Sequence, residues 1–306
     1  MSEAPATPAA HPALKYVFLL MLGSIWGTSY TLQSLAVKTI PPITVASSRV
    51  LIGGLILLAV ALAQRLPFPR DRRTWLAFFA FGVAGQALPF SLITAGQAHV
   101  DSGLTSILCA ITPLFTLLLA HFFTRDERIS PPKLAGLALA FAGIVLLVGP
   151  SALEGLGRDF WAQMSILAGA FFFAVSIVVA RATRHVPFAV SASCSLLCGA
   201  VAAVPTAAIV DRPWTTHPSI VSLAACGVLA VLGTAIGMMI FFRLIKLAGS
   251  NFVSLNNYLA PAIAVLLGVA FLGERLTWPV AGAIALIFAG IAVASLRGRQ
   301  IAPRAP

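Results

Sequence analysis

The groups in this sequence that could handle a ligand are the polar side chains interrupting long apolar runs. Trp26, Tyr30, Gln33 and Ser34 recur at three- and four-residue steps, as do Ser102, Ser106, Cys109 and Pro113. Ser250, Ser254, Asn257 and Pro261 repeat the pattern, with Asn256 and Tyr258 beside them. Such spacing gathers side chains on one face of a helix. Against lipid a polar side chain is expensive, so these faces turn inward. Two chemistries fit: lining a solute cavity, or hydrogen bonding between helices. Cavity lining is the expectation for Asn256, Asn257 and Tyr258, and both readings stand for Ser102 and Ser106. Gln86 is a further deep amide, and an amide facing lipid is costly. Trp26 could stack on an aromatic or apolar solute. Phe171, Phe172 and Phe173 stand at an equivalent level, but a run of three covers three faces, so one or two at most reach a cavity. Phe172 and the adaptable Met239, next to Met238, join the candidate substrate-binding set.

Other residues suggest mechanics. Pro113 and Pro261 each remove a backbone donor and free a carbonyl in mid-helix. A packing kink is one reading; a hinge, or a carbonyl offered to a cavity, is the other. Arg49 lies about 10 Å into its helix at ~1.5 Å per residue. It could snorkel outward, hold two parts of the protein together, or bind a substrate carboxylate, and the structural role is preferred. Glu127 and Glu274 sit near helix ends, where salt bridges or helix capping would clasp a closed state.

Every Asp and Glu lies in a tail or near the end of an apolar run. Intramembrane carboxylates are the usual proton relays and cation counter-ions. Without them a strongly cationic substrate is disfavoured. Without a mid-membrane Lys/Arg cluster, so is a sugar phosphate. A neutral, zwitterionic or amphipathic solute remains. The five histidines lack metal spacing, and the cysteines (Cys109, Cys194, Cys198, Cys226) lie in apolar runs as packing residues. No metal or cofactor is expected. A membrane enzyme would need a converging nucleophile or metal set, which is missing.

The positioning elements follow from composition. Of 306 residues, 59% are hydrophobic and 9% charged, with mean hydropathy +0.97. A soluble chain carries roughly 25% charged residues, so lipid must be the solvent for most of this one. Residues 1–13 read as a disordered tail. Ten apolar segments reach the roughly 20 residues needed to span a bilayer: 14–35, 43–63, 75–96, 102–123, 132–149, 160–180, 187–210, 219–241, 252–272 and 278–296. Placing the N-terminus in the cytoplasm leaves only Lys38, Arg49, Arg158, Arg212 and Arg275 outside or embedded, of 20 Lys and Arg. That bias supports both termini inside. It also accounts for the net charge of +11 without invoking nucleic acid.

The chain repeats itself. Phe123-Thr-Arg-Asp-Glu-Arg-Ile-Ser130 resembles Phe271-Leu-Gly-Glu-Arg-Leu-Thr277, Phe141-Ala-Gly-Ile144 matches Phe288-Ala-Gly-Ile291, and Thr112-Pro113 aligns with Ala260-Pro261. Halves of five helices must face opposite ways across the membrane. The expected architecture is an all-α integral membrane protein of ten transmembrane helices in two inverted repeats, 14–150 and 151–296, followed by a basic cytoplasmic tail at 297–306. Inverted repeats of this kind are a transporter signature.

With these residues in view, the sequence resembles the EamA family of the drug/metabolite transporter superfamily. Trp26-Gly27, Pro41-Pro42 followed by Arg49, the paired Pro113 and Pro261, and the Gly-Glu-Arg-Leu-Thr run at 273–277 carry the resemblance. It implies a ten-helix carrier in the cell inner membrane, monomeric or homodimeric, with a small-molecule substrate. Many such carriers export amino acids or other metabolites, and the aromatic amino-acid branch is a plausible home. Alternating access and export of amino acids are expected, with a drug exporter as the competing reading.

Overall fold

The computed structural model describes residues 13–123, 131–132, 134–136, 138–139, 141–143, 146, 158–179, 183, 185–248 and 256–295. Both terminal tails, Glu127, Ser250 and Ser254 lie outside them. The described residues form helices, short turns and no strand. Where lipid replaces water, the helix satisfies every backbone group within its own segment.

In chain order the helices are α1 (Leu14–Ala36), α2 (Pro42–Ala63), α3 (Arg72–Gln97), α4 (Ser102–Cys109), α5 (Thr112–Phe123) and α6 (Leu134–Gly143, described in part). Next come α7 (Arg158–Val179) and α8 (Phe188–Val210). Helix α9 runs Ile220–Val228 and Gly237–Ala248 around a π-helical stretch, Leu229–Ile236. Helix α10 runs Asn256–Leu267 and on through a π-helical Gly268–Leu272, and α11 is Trp278–Ser295. A third π-helical stretch, Val83–Ala87, sits inside α3.

Local chemistry sets the starts and stops. Pro41 is extended and Pro42 opens α2, where a missing N–H is harmless. Asp71 accepts from Thr74 N–H at 2.7 Å and caps α3, and Ser219 caps α9 through Ser222 N–H. Gly273, at φ +69°, ends α10 in the left-handed region that glycine enters freely.

Among the described residues, four helices are long and apolar enough to cross a membrane: Pro42–Ala63, Arg72–Gln97, Phe188–Val210 and Ile220–Leu244. Shorter apolar helices accompany them. The expected fourth span, 102–123, is broken at Ala110-Ile111 into α4 and α5. The physical reason is Pro113, which cannot donate to the Cys109 carbonyl; Thr112 Oγ1 supplies that bond instead, at 2.7 Å. The carbonyl that Pro113 frees is therefore already occupied. Pro261, by contrast, lies buried inside an unbroken α10.

Large apolar side chains cover the outside, Ile209, Ile220, Phe271 and Trp278 among them. Such a surface suits acyl chains and not water. Inside, α1 lies along α10, α2 along α8 and the C-terminal half of α3 along α7. Helix α7 also packs on α4 and α5, and α1 on α9. With α4 and α5 taken together as the counterpart of α10, exchanging α1, α2 and α3 with α7, α8 and α9 returns the same pairs. Small residues permit the closest approaches: a Cβ on Gly199 of α8 would lie 2.6 Å from the Gly82 carbonyl of α3.

Candidate functional site

A polar cluster crosses the apolar interior where α1, α2, α3 and α9 meet. The Gln33 amide of α1 donates to Gln97 Oε1 of α3 at 2.6 Å, and Gln97 Nε2 donates to the Tyr30 carbonyl at 2.6 Å. From α2, Arg49 Nε donates to Thr234 Oγ1 of α9 at 2.8 Å, and its Nη1 to Gln33 Oε1 at 3.3 Å. The guanidinium carbon lies 4.1 Å from the centroid of the Phe90 ring, a cation–π geometry. All four polar residues are buried, Arg49 at 8% exposure. Local sequence explains how α9 comes within reach. Gly53, four residues beyond Arg49 on α2, leaves room for Thr234, whose Cγ2 would lie 2.7 Å from a Cβ there. Thr234 itself belongs to a π-helical stretch, a feature frequent at functional sites.

The wall beside Arg49 is apolar. Phe90 meets Phe173 of α7 edge-on, with centroids 5.3 Å apart. Met238 and Met239 pack with Phe90 against one cluster on α2 and α8, while Tyr30 and Phe173 pack against another built around Ile107 and Ile166. Tyr30 faces the Cys109 thiol.

A second constellation ties α10 to α4. The Glu274 carboxylate accepts from Ser102 N–H (2.7 Å), Ser102 Oγ (2.6 Å) and Gly103 N–H (2.9 Å). It caps the start of α4, where unpaired N–H groups and the helix dipole favour an anion. At another helix start, Asp211 accepts from Thr44 N–H and Oγ1, at 2.6 and 2.9 Å, at the first turn of α2.

The other sequence candidates scatter. Trp26 donates from its indole to the Gly233 carbonyl at 3.2 Å and tilts against Phe241. Ser102 is engaged by Glu274, and Ser106 Oγ donates to the Gly103 carbonyl at 2.6 Å. Phe172 is half-buried, edge-on to Phe171. Gln86 in the π-helical stretch of α3 and Asn256 at the start of α10 are buried with carbonyl oxygens that find no partner among the described residues. The Asn257 and Tyr258 side chains lie outside the described residues. Gln97, Thr234 and Phe90 were not among the sequence candidates. A signal existed for two of them, since Gln86, Phe90 and Gln97 fall at four- and seven-residue steps on one face of α3. Thr234, alone in the Leu229–Ile236 stretch, offered none.

Comparison with known proteins gives a consistent picture. The model of the EamA-like transporter family matches residues 14–149 and again 160–296. An inner membrane transporter of Escherichia coli, YedA, described as uncharacterized, is 30% identical over 94% of this chain and 92% of its own length. An uncharacterized Bacillus subtilis transporter, YvbV, is 26% identical over 95% and 94%. Salmonella typhimurium protein PagO is 27% identical over 81% and 82%. One crystal structure, 21% identical, superposes with a TM-score of 0.67 over 95% of this chain and 100% of that one, a likeness of fold alone.

Proposed function

The chain belongs to the EamA-like transporter family, and from that premise we propose that it is an alternating-access carrier exporting small amphipathic metabolites. Amino acids, aromatic ones first, are its proposed substrates, moved by facilitated transport or exchange. The observation that carries the substrate class is the buried cluster of Gln33, Arg49, Gln97 and Thr234 against the Phe90–Phe173 wall. It offers amide, hydroxyl and guanidinium groups beside aromatic rings, and it holds no carboxylate among the described residues. A carrier with such a site has hydrogen bonds for a polar head and an apolar surface for its body. It lacks the group that usually relays protons or pairs with cations.

The proposed architecture is ten spans in two inverted five-helix repeats, 14–150 and 151–296, with both termini cytoplasmic. Two features support it: the family's model matches the chain twice, and the helix pairs survive exchange of the two halves. The Lys/Arg bias supports the orientation, and the name of the Escherichia coli relative supports the inner membrane. Halves rocking about a site between them are how such repeats alternate access.

The test is counterflow in proteoliposomes preloaded with an amino-acid panel, with and without a pH gradient. Saturable exchange of aromatic amino acids, little changed by the gradient, is the expected result. Strong uptake driven by the gradient would contradict the coupling, and drug efflux without amino-acid flux would replace the substrate.

A further inference from the structure

We propose that Arg49 is a docking point for the carboxylate of an organic acid with an aromatic or apolar body; this rests on the carrier reading and names the chemistry of its site. Arg49 is a buried cation whose protein partners are all neutral. Thr234 Oγ1 and Gln33 Oε1 take one hydrogen bond each, and Phe90 offers its face. Arg49 pairs with no carboxylate among the described residues, and three of these carboxylates are committed elsewhere. Asp71 holds Thr74, Asp211 holds Thr44, and Glu274 holds Ser102 and Gly103.

An uncompensated buried charge is strongly unfavourable, and removing one partner of a buried ion pair leaves a protein in that same condition. Here the missing partner has a place. Among the described residues Nη2 of Arg49 has no hydrogen-bond partner, yet it is not one of the fully enclosed side-chain atoms left unpartnered. It is therefore not fully enclosed, and its N–H donors remain available to a ligand. A planar guanidinium edge takes a carboxylate through paired, charge-assisted hydrogen bonds, a geometry that neither an amide nor an ammonium can supply as a ligand. Thr234 on Nε and Gln33 on Nη1 fix the plane of the guanidinium before a ligand arrives.

Phe90 lies over the guanidinium, Phe173 meets Phe90 edge-on, and Met239 packs on the same cluster as Phe90. An aryl or alkyl group fits that wall. No described carboxylate faces it, so nothing there demands a positive charge on the ligand. The class is an apolar monocarboxylate, with or without an amino group, and this goes beyond amino acids.

The experiment compares four probes on the purified full chain: phenylalanine, phenylpropionate, phenylalaninamide and phenylpropanamide. Binding is read by ligand-induced thermal stabilisation, and transport by counterflow. The two acids should bind about tenfold or more tightly than their amides, the scale of a charge-assisted pair. In Arg49→Gln the gap between acid and amide should close to about twofold, and Arg49→Lys, a charge without the fork, should retain part of it. If Arg49→Gln fails to fold, the acid–amide comparison in the natural chain and in Arg49→Lys still decides. Amides equal to acids, a gap untouched in Arg49→Gln, or no binding by either acid would each overturn the proposal. Equal counterflow of acid and amide would do so while leaving the carrier reading standing. Silence toward every solute offered would sink both.

Discussion

Changing Glu274 to Gln keeps the side chain's shape and removes its charge, which isolates what the anion does at the start of α4. The amide can still accept through one oxygen from Ser102, but its NH2 must face a donor, the Gly103 N–H now held at 2.9 Å. One hydrogen bond is lost outright and two lose their charge assistance. A net hydrogen bond is worth about 1 kcal/mol and a charged one about 1.5–3. An anion at a helix N-terminus adds roughly 0.3–1 kcal/mol. Glu274 is only half-buried, so solvent screens part of this, and a loss of about 2–3 kcal/mol follows. For a chain of this size that lowers the melting temperature of the purified protein by several degrees. Ser106, one turn below Ser102 and fully buried, supplies a second readout. A cysteine placed there should react with a maleimide at least tenfold faster in the Glu274→Gln background, because about 1.4 kcal/mol corresponds to a factor of ten in the open population. Unchanged melting together with unchanged labelling would refute the idea that Glu274 holds α10 to α4.

Other substitutions test the remaining parts. Gly53→Ala places a methyl group 2.7 Å from Thr234 Cγ2; it should destabilise the fold by about 1–3 kcal/mol as overpacking does, and counterflow should fall as Arg49 loses Thr234. Gln97→Leu removes two hydrogen bonds, leaves the Gln33 Nε2 donor without its partner and returns the Tyr30 carbonyl to its helix bond alone, which should cost about 1–3 kcal/mol in a melting experiment. At the start of α3, hydrogen bonds from the Thr74 side chain and backbone hold the Asp71 carboxyl below its ordinary range. Its cap therefore stabilises the protein above that range and is lost as pH falls through the lowered value. A melting-temperature difference between the natural chain and Asp71→Ala should accordingly persist at neutral pH and vanish in acid.

What the sequence could convey follows from what is local. Helices such as Pro42–Ala63 and Phe188–Val210 were legible because an apolar run of that length needs no partner to declare itself. The interruption before α5 was half-legible. Pro113 marked the place, but a lone proline does not say whether a helix kinks, as α10 stays whole through Pro261, or breaks. The inward face of α1 was legible as spacing, hence Gln33, whereas Gln86 was legible only as an amide deep in an apolar run. Who meets whom was not, because Gln33 finds Gln97 and Arg49 finds Thr234 across 64 and 185 residues of chain. No window of sequence contains such a pair. The π-helical stretches of α3, α9 and α10 were hidden for a related reason, since their apolar residues also suit an ordinary α-helix. Ser102 and Ser106 illustrate the reverse: both are buried one turn apart on α4, with their hydroxyls engaged by Glu274 and by the Gly103 carbonyl.

Counterflow of an aromatic amino acid in proteoliposomes bears most directly on the central claim, that a buried polar cluster walled by aromatic rings carries an amphipathic solute across the membrane. The account predicts saturable exchange, little affected by a pH gradient, that falls sharply in folded Gln33→Ala and Arg49→Gln protein. Exchange that persists in both variants, or the absence of exchange for every aromatic solute offered, would contradict it.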